Sequence, residues 1–284
     1  MPYITVGEEN ACPVDLYYED HGSGPPVVMI HGFPYSGTAW EKQVPQLLMA
    51  GYRTITYDRR GFGRSSQPST GYDYDTFAGD LAKLMMALEL SDATLVGHSM
   101  GTGEVTRYLS AYGSERVSRA VLISPIPPFL MKTADNPEGL DKSIFDGFVQ
   151  SIMNDRAAFQ TEFTNNFFNP DQNLGKRVSQ DAMHAHWTIA MMASPLGTAA
   201  CVPAWLTDFR PDLPRIDVPV DIIQGDQDRV LPYPSTGKRL VEMLPGSKLM
   251  TLEGGPHGIP WTHADEINAE LMTFLKTPGR VNTA

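Results

Sequence analysis

The sequence has few cysteines and no long apolar run, and each shortage excludes a class of protein. Only two of its 284 residues are cysteine, Cys12 and Cys201, far apart and in no metal-binding or redox spacing. We therefore expect two reduced thiols, as in a cytoplasmic protein. No apolar stretch approaches the length of a membrane span, and the first residues lack the basic and apolar regions of a signal peptide. No membrane partner is expected.

Basic residues are also scarce. The chain has 22 Lys and Arg against 33 Asp and Glu, which gives a formal net charge of −11. A surface of this sign repels phosphate backbones, so nucleic acid is not an expected partner. The composition is otherwise that of a globular protein, with 42% hydrophobic and 19% charged residues, and the length allows a large core.

Short apolar runs alternate with helix-length segments over much of the chain. β-rich runs at 3–6 and 14–19 predict an antiparallel pair at a sheet edge. The continuous apolar run at 27–30 is typical of a strand buried on both faces, as is the run at 120–123, and further strands are predicted at 53–57, 220–223 and 248–252. One helix, with Trp40, Val44, Leu47 and Leu48, is predicted after 31–34, and the amphipathic segment 73–90 predicts another between strands. The alternation predicts an α/β fold with a mostly parallel sheet and helices on both faces.

Residues 125–214 have a different pattern. Pro125, Pro127 and Pro128 mark the change, and helix-length segments rich in aromatic residues follow. Because the apolar faces of these helices need a partner, we predict a helical cap over the mouth of the sheet. The cap is expected to be inserted into an α/β core formed by 1–124 and 215–284.

The most informative stretch is Gly97-His98-Ser99-Met100-Gly101, between an apolar strand and a helix-like segment. This is the G-x-S-x-G pattern in the strand–turn–helix context of a nucleophile elbow, where small residues permit the sharp turn. Ser99 is the predicted nucleophile. The backbone N–H of Met100 is a predicted oxyanion donor, and Phe33, after the first buried strand, is placed to supply the second.

A serine nucleophile needs a base and a carboxylate that orients the base. His257 lies in a Gly- and Pro-rich loop directly after a strand, and Asp228 follows another strand, so both belong at the same rim of a parallel sheet as Ser99. The order serine, acid, histidine is the one expected of an α/β-hydrolase. Asp226 competes with Asp228, although its closer position to the strand favours a role in the turn.

The remaining histidines and glycine pairs predict neither a metal site nor a cofactor. His184 and His186 are two residues apart, which on a helix places them on different faces. His31 is more suited to shaping the oxyanion loop, and His98, inside the elbow, is expected to point away from the Ser99 side chain. Gly-x-Gly pairs at 61–63 and 101–103 lack the third glycine of a dinucleotide loop.

With these residues in place, the chain resembles the α/β-hydrolase superfamily and, within it, the bacterial cofactor-free haloperoxidases, or perhydrolases, with their related esterases and γ-lactamases. The similarity spans most of the chain. The matching runs lie at 30–34 (IHGFP), 57–65 (YDRRGFGRS), 99–105 (SMGTGEV), 135–139, 173–175, 205–210 (WLTDFR), 255–258 (GPHG) and 261–264 (WTHA). The runs within 125–214 are specific to this group.

The resemblance implies an eight-stranded α/β-hydrolase sheet, a four-helix cap over an apolar pocket, and no metal, haem or other cofactor. It implies Ser99, Asp228 and His257 as the triad, with Phe33 and Met100 as oxyanion donors. An ester or short carboxylic acid would form an acyl-enzyme that water or hydrogen peroxide intercepts. Peroxide would give a peracid, which oxidises halide in solution, and Pro34 is associated with that reaction. A homo-oligomer is also favoured.

Three departures from the group concern substrate preference. His98 stands where relatives often carry Phe, Gln224 stands where they often carry His, and 124–128 is unusually rich in proline. The substrate pocket is assigned to Pro34, His98, Ile126, Trp205 and Ile259.

Two alternatives to an esterase with perhydrolase activity stay open. A γ-lactamase or amidase would use the same triad, so lactams belong among the candidate substrates. A ligand receptor of the same fold would keep the triad without multiple turnovers. Dehalogenases and epoxide hydrolases of this fold use an aspartate at the elbow, and Ser99 argues against both.

Overall fold

One eight-stranded sheet forms the centre of the protein, as seen in a computed structural model that describes residues 2–279. The strands are β1 (Tyr3–Glu9), β2 (Cys12–His21), β3 (Pro26–Ile30), β4 (Arg53–Tyr57), β5 (Ala93–His98), β6 (Val117–Ile123), β7 (Val220–Gly225) and β8 (Lys248–Leu252). Their order across the sheet is β1-β2-β4-β3-β5-β6-β7-β8. The β1–β2 and β2–β4 pairs are antiparallel, and all other pairs are parallel. The predicted α/β fold is confirmed.

Helices cover both faces of this sheet and also the loops at one of its edges. They are α1 (Val44–Met49), α2 (Tyr74–Ala87), α3 (Met100–Tyr112), α4 (Lys142–Asn154), α5 (Arg156–Phe168), α6 (Pro170–Asn173), α7 (Gln180–Met191), α8 (Pro195–Ala204), α9 (Gly237–Met243), α10 (Ile259–Thr262) and α11 (Ala264–Phe274). Alternate residues of β3 enter opposite layers: Val28 packs with α2, α3 and α9, whereas Val27 packs with α1 and α11. This two-sided burial explains why the central strands read as continuous apolar runs.

Helix boundaries follow local capping chemistry. The helix predicted over 73–90 is α2, which begins at Tyr74 because the Asp73 side chain accepts a hydrogen bond from Thr76 N–H at 2.9 Å. The single helix predicted after 31–34 is instead a 3₁₀ turn, Gly37–Trp40, followed by α1. Pro45 lies in the first turn of α1, where its missing N–H leaves no hydrogen bond unmade.

The chain between β6 and β7 contributes α4 to α8. Phe145, Ile152 and Phe159 from these helices share an apolar cluster with Phe33 and Met100, which lie just beyond β3 and β5. The helical segment therefore rests on the loops at the carboxyl ends of the strands, where ligands bind in open α/β sheets. In residues 2–279, no helix is long and apolar enough to span a membrane.

Candidate active site

Ser99 occupies a strained turn between β5 and α3. Its φ of 52° and ψ of −119° lie outside the regions that a residue with a side chain ordinarily adopts. The turn is possible because Gly97 and Gly101 lack β-carbons: one on Gly97 would stand 2.7 Å from the Gly101 carbonyl oxygen, and one on Gly101 would collide with the Ile30 carbonyl oxygen. Ser99 is only 5% exposed, and it lies in the wall of an apolar cavity.

Asp228 and His257 meet beyond the ends of β7 and β8. Asp228 Oδ2 accepts a hydrogen bond from His257 Nδ1 at 2.8 Å, and both side chains are fully buried. The other carboxylate oxygen, Oδ1, accepts from the backbone N–H groups of Val230 and Leu231 at 2.9 and 2.8 Å. These bonds fix the carboxylate and place the proton of His257 on Nδ1.

The two loops that carry this pair touch through their backbones. A β-carbon on Gly225 would collide with the Gly255 carbonyl oxygen, so only a glycine at 225 lets the loops approach so closely. Asp226, the competing acid, is exposed and accepts from Gly254 N–H at 2.8 Å, which stabilises this turn. The geometry therefore places Asp228, not Asp226, against the imidazole.

His257 Nε2 is buried and has no hydrogen-bond partner among residues 2–279. It therefore makes no hydrogen bond to Ser99 Oγ in this structure. Hydrogen bonds of this kind are often long in a free enzyme and tighten when the substrate binds. With its proton on Nδ1, the imidazole leaves Nε2 as a proton acceptor.

The loop after β3 lies directly beside Ser99. A β-carbon on Gly32 would stand 2.9 Å from the Ser99 Cβ. The backbone N–H groups of Phe33 and Met100 donate no hydrogen bond within the described part of the chain, so both are available to an incoming oxygen.

His31 supports this loop from within the core. Its Nδ1 donates to the Gly32 carbonyl oxygen at 2.8 Å, and its Nε2 accepts from Arg59 N–H at 2.9 Å. Burial, followed by the nearby Arg59 charge, lowers the pKa of His31 well below its ordinary value. A neutral imidazole thus ties the loop after β3 to the loop after β4.

A buried ion pair lies beneath the same loops. Arg59 Nε donates to Glu104 Oε2 at 2.7 Å, and a further guanidinium nitrogen donates to the His31 carbonyl oxygen at 2.9 Å. The Tyr57 hydroxyl donates to the other Glu104 oxygen. Burial raises the pKa of the Glu104 carboxyl, and the Arg59 charge acts against this rise. The pair joins β4, α3 and the oxyanion loop.

A cavity of about 490 Å³ opens above Ser99. Its wall is mostly aromatic and aliphatic, and Phe33 and Trp205 meet in it edge to face with ring centroids 4.8 Å apart. The apolar wall residues are Phe33, Ile126, Leu130, Leu140, Ile144, Phe145, Phe148, Phe159, Phe163, Trp205, Val230, Leu231 and Pro232. The structure thus brings Ile126 and Trp205 of the predicted pocket to the cavity.

Three of the five predicted pocket residues, Pro34, His98 and Ile259, lie outside this wall. The His98 ring lies in a small separate space with Trp40 and Phe167. Ile259 is fully buried in the core layer on the α11 side of the sheet. Pro34 is buried beside Phe33. Nearness to Ser99 or His257 along the chain does not determine on which side of the loop a side chain lies.

Sequence reasoning missed most of the actual wall. Phe145 and Phe148 are three residues apart on α4, and Phe159 and Phe163 are four apart on α5. Such spacing places each pair on one helix face and is the signal that identifies them. Val230, Leu231 and Pro232 lie just beyond Asp228 and Arg229 in the sequence, and no sequence pattern marked them.

The described residues show no cluster of three or more His, Cys, Asp or Glu side chains able to hold a metal ion. Cys201 is buried near Arg59 and Glu104, and burial raises the pKa of its thiol to about 12. Cys12 is exposed, and both thiols are free.

Comparison with known proteins identifies similar chains over nearly the full length. Residues 25–264 match the family described as alpha/beta hydrolase fold. A "Putative non-heme chloroperoxidase" from Synechocystis sp. is 61% identical over 276 residues, which cover 97% of this chain and 100% of the relative. A bifunctional esterase/perhydrolase from Acinetobacter calcoaceticus is 36% identical over 280 residues, with 98% and 100% coverage. The crystal structure of a bromoperoxidase from Bacillus anthracis has a TM-score of 0.93 at 49% identity and covers 97% of this chain and 99% of its own.

Proposed function

Because this chain belongs to the alpha/beta hydrolase family, we propose that it is a serine hydrolase that cleaves small carboxylic esters through an acyl-enzyme. The observation that carries the proposal is the buried Asp228–His257 pair at 2.8 Å, with the free His257 Nε2 at the same sheet edge as the strained Ser99. The fold alone carries no activity, whereas this arrangement supplies a nucleophile, a base and an orienting acid.

In the first half of the reaction, the Ser99 hydroxyl oxygen attacks the ester carbonyl carbon while His257 Nε2 takes the hydroxyl proton. Asp228 stabilises the imidazolium that forms, since its carboxylate already accepts the Nδ1 proton. The N–H groups of Phe33 and Met100 hold the oxyanion. His257 then returns the proton to the leaving alcohol, and the acyl group stays on Ser99.

The acyl-enzyme then reacts with water or with hydrogen peroxide. His257 removes a proton from the acceptor, whose oxygen attacks the acyl carbon, and the proton passes to Ser99 Oγ as its ester bond breaks. Water gives the carboxylic acid and peroxide gives the peracid. Relatives that carry the names chloroperoxidase and esterase/perhydrolase support the second outcome.

The substrate is proposed to enter beneath a helical cap formed by residues 125–214. The aromatic wall of the 490 Å³ cavity favours an uncharged, apolar acyl group, because a charged group would lose its hydration there without a buried partner. Glu162 and Arg229 are the charged wall residues, and both are exposed at its edge.

The test is steady-state hydrolysis of p-nitrophenyl esters from acetate to octanoate, with and without hydrogen peroxide. Wild type is expected to turn over many times and to form peracid, measured as bromide oxidation, when peroxide is present. Ser99→Ala should lose at least about 10³-fold in kcat. Ser110→Ala, near the other end of α3, serves as the matched control and should keep wild-type activity.

Equal activity in wild type and Ser99→Ala would overturn the serine mechanism. A single turnover that consumes one ester per protein would instead favour a ligand receptor. Lactam hydrolysis faster than ester hydrolysis would assign the triad to an amidase.

A further inference from the structure

The peptide that follows the proposed base is held on both sides. His98 Nε2 lies 3.1 Å from the His257 carbonyl oxygen, and Ser124 Oγ donates to the same oxygen at 3.2 Å. On the other side, Gly258 N–H donates to the Phe167 carbonyl oxygen at 2.8 Å. Three hydrogen bonds therefore set the orientation of the peptide plane between 257 and 258.

His98 is well placed to act on this peptide. It is 3% exposed, and its ring centroid lies 5.1 Å from that of His257. Phe167 packs edge-on against both imidazoles, at 5.7 Å from His98 and 5.3 Å from His257. Because a carbonyl oxygen only accepts, His98 Nε2 carries the proton and donates it. Its Nδ1 faces Gly32, where a β-carbon would stand 2.9 Å away.

His98 remains a neutral donor during the reaction. Burial lowers the pKa of His98 well below its ordinary value, and the positive charge that His257 carries when protonated lowers it further. His186, whose own pKa is lowered by burial, is the other titratable group that acts on it. A charged His98 would repel the imidazolium that forms on His257, and this environment prevents it.

We propose that His98 is a positioning residue for His257: its Nε2–H fixes the peptide after the base and thereby the direction in which His257 Nε2 faces Ser99. Asp228 holds the imidazole at Nδ1, and His98 holds the backbone from which the imidazole projects. Residue 98 directly precedes the nucleophile, so one side chain links the elbow to the base. The inference rests on the proposed function of His257.

The experiment separates the ring of His98 from its hydrogen bond. His98→Phe keeps a ring of similar size but donates nothing, whereas His98→Gln keeps an N–H donor near the position of Nε2. We expect His98→Phe to lower kcat about tenfold with KM within about twofold, because a displaced base transfers the proton less efficiently. His98→Gln should recover most of that loss.

A spectroscopic readout tests the same geometry without substrate. The proton that His257 Nδ1 donates to Asp228 is expected to give a low-field ¹H NMR resonance. We expect this resonance to broaden or disappear in His98→Phe and to persist in His98→Gln. The control is His186→Phe, which alters another buried imidazole against Phe167 that makes no hydrogen bond to the 257–258 peptide. The His186→Phe variant should keep the wild-type kcat and the low-field resonance, even if its melting temperature falls.

His98→Phe with kcat within twofold of wild type and an unchanged resonance would overturn the proposal. So would equal losses in His98→Phe and His98→Gln, because the hydrogen bond would then be irrelevant. Absence of Ser99-dependent turnover in wild type would defeat the proposed function instead, and the NMR comparison would still decide whether His98 positions His257.

Discussion

Gly32 lies directly against Ser99. A β-carbon on Gly32 would stand 2.9 Å from the Ser99 Cβ and 2.9 Å from His98 Nδ1, closer than packed atoms approach. Gly32 immediately precedes Phe33, whose N–H is the proposed second oxyanion donor. The missing side chain therefore sets how near that donor comes to the nucleophile.

Gly32→Ala should lower kcat for ester hydrolysis by roughly 10²-fold, because the loop must shift and carry the Phe33 N–H away from the oxyanion. Stability should fall much less, by about 1–2 kcal/mol. Gly7→Ala, where the nearest atoms to a new β-carbon are 4.0 Å away, is the matched control and should keep both kcat and melting temperature. A Gly32→Ala enzyme with wild-type kcat would contradict this account of the loop.

Asp228 and Asp226 should respond differently to the same substitution. Asp228→Asn removes the carboxylate that holds the Nδ1 proton of His257, so kcat should fall about 10³- to 10⁴-fold. Asp226→Asn affects an exposed turn contact to Gly254, and kcat should stay within about threefold. Steady-state kinetics of both variants at one pH is the measurement. Comparable losses in the two would show that the acid is not uniquely Asp228.

Much of the fold could be predicted from the sequence because its signals are local. The predicted strands at 53–57 and 248–252 coincide with β4 and β8, and a turn glycine, Gly51 or Gly246, lies shortly before each. The order of Ser99, Asp228 and His257 along the chain, together with the strand that precedes each, was enough to propose a common edge. The single helix predicted after 31–34 is instead a 3₁₀ turn and a separate helix. Pro45 fits only the first turn of a helix, so α1 begins at Val44.

The side of each loop could not be predicted, because it depends on contacts between distant segments. His98 and Ile126 both lie close to Ser99 in space, yet one packs against His257 and the other lines the cavity. The loops of Asp228 and His257 meet through a contact between Gly225 and Gly255, which are far apart in the sequence. Helical periodicity shows which face of a helix is apolar, but it does not show which element packs against that face.

The buried Arg59–Glu104 pair is expected to be the most sensitive ion pair in the core. Glu104→Gln leaves the always-charged guanidinium without its buried partner, which should destabilise the protein by about 3–5 kcal/mol. Asp146→Asn breaks the exposed Lys142–Asp146 pair and should change stability by less than about 0.5 kcal/mol. Urea unfolding followed by circular dichroism measures both. If Glu104→Gln and Asp146→Asn changed the stability by equally small amounts, then solvent would reach Arg59 or another group would neutralise its charge.

Asp221 should make the protein less stable at neutral pH than at mildly acidic pH. It lies in β7 opposite Lys248 of β8, and its carboxyl pKa is raised to about 6, first by burial and then by the Glu270 carboxylate, while Lys248 acts in the opposite direction. In the unfolded chain the pKa is about 3.9. Above pH 6 the folded protein therefore holds an ionised buried carboxylate, and this cost disappears as pH falls from 6 towards 4.

Asp221→Asn should accordingly raise the free energy of unfolding at pH 8 by roughly 1–2 kcal/mol, a value discounted from the pKa shift because solvent near the carboxyl screens part of it. At pH 4.5 the gain should largely vanish, because Asp221 is then protonated in the folded state. Urea unfolding at both pH values, with the exposed Glu242→Gln as the control variant, gives the comparison. If Asp221→Asn raised the free energy of unfolding equally at both pH values, the cause would be better packing of the amide. If it lowered the free energy of unfolding at pH 8, the Asp221 charge would be stabilised in the fold.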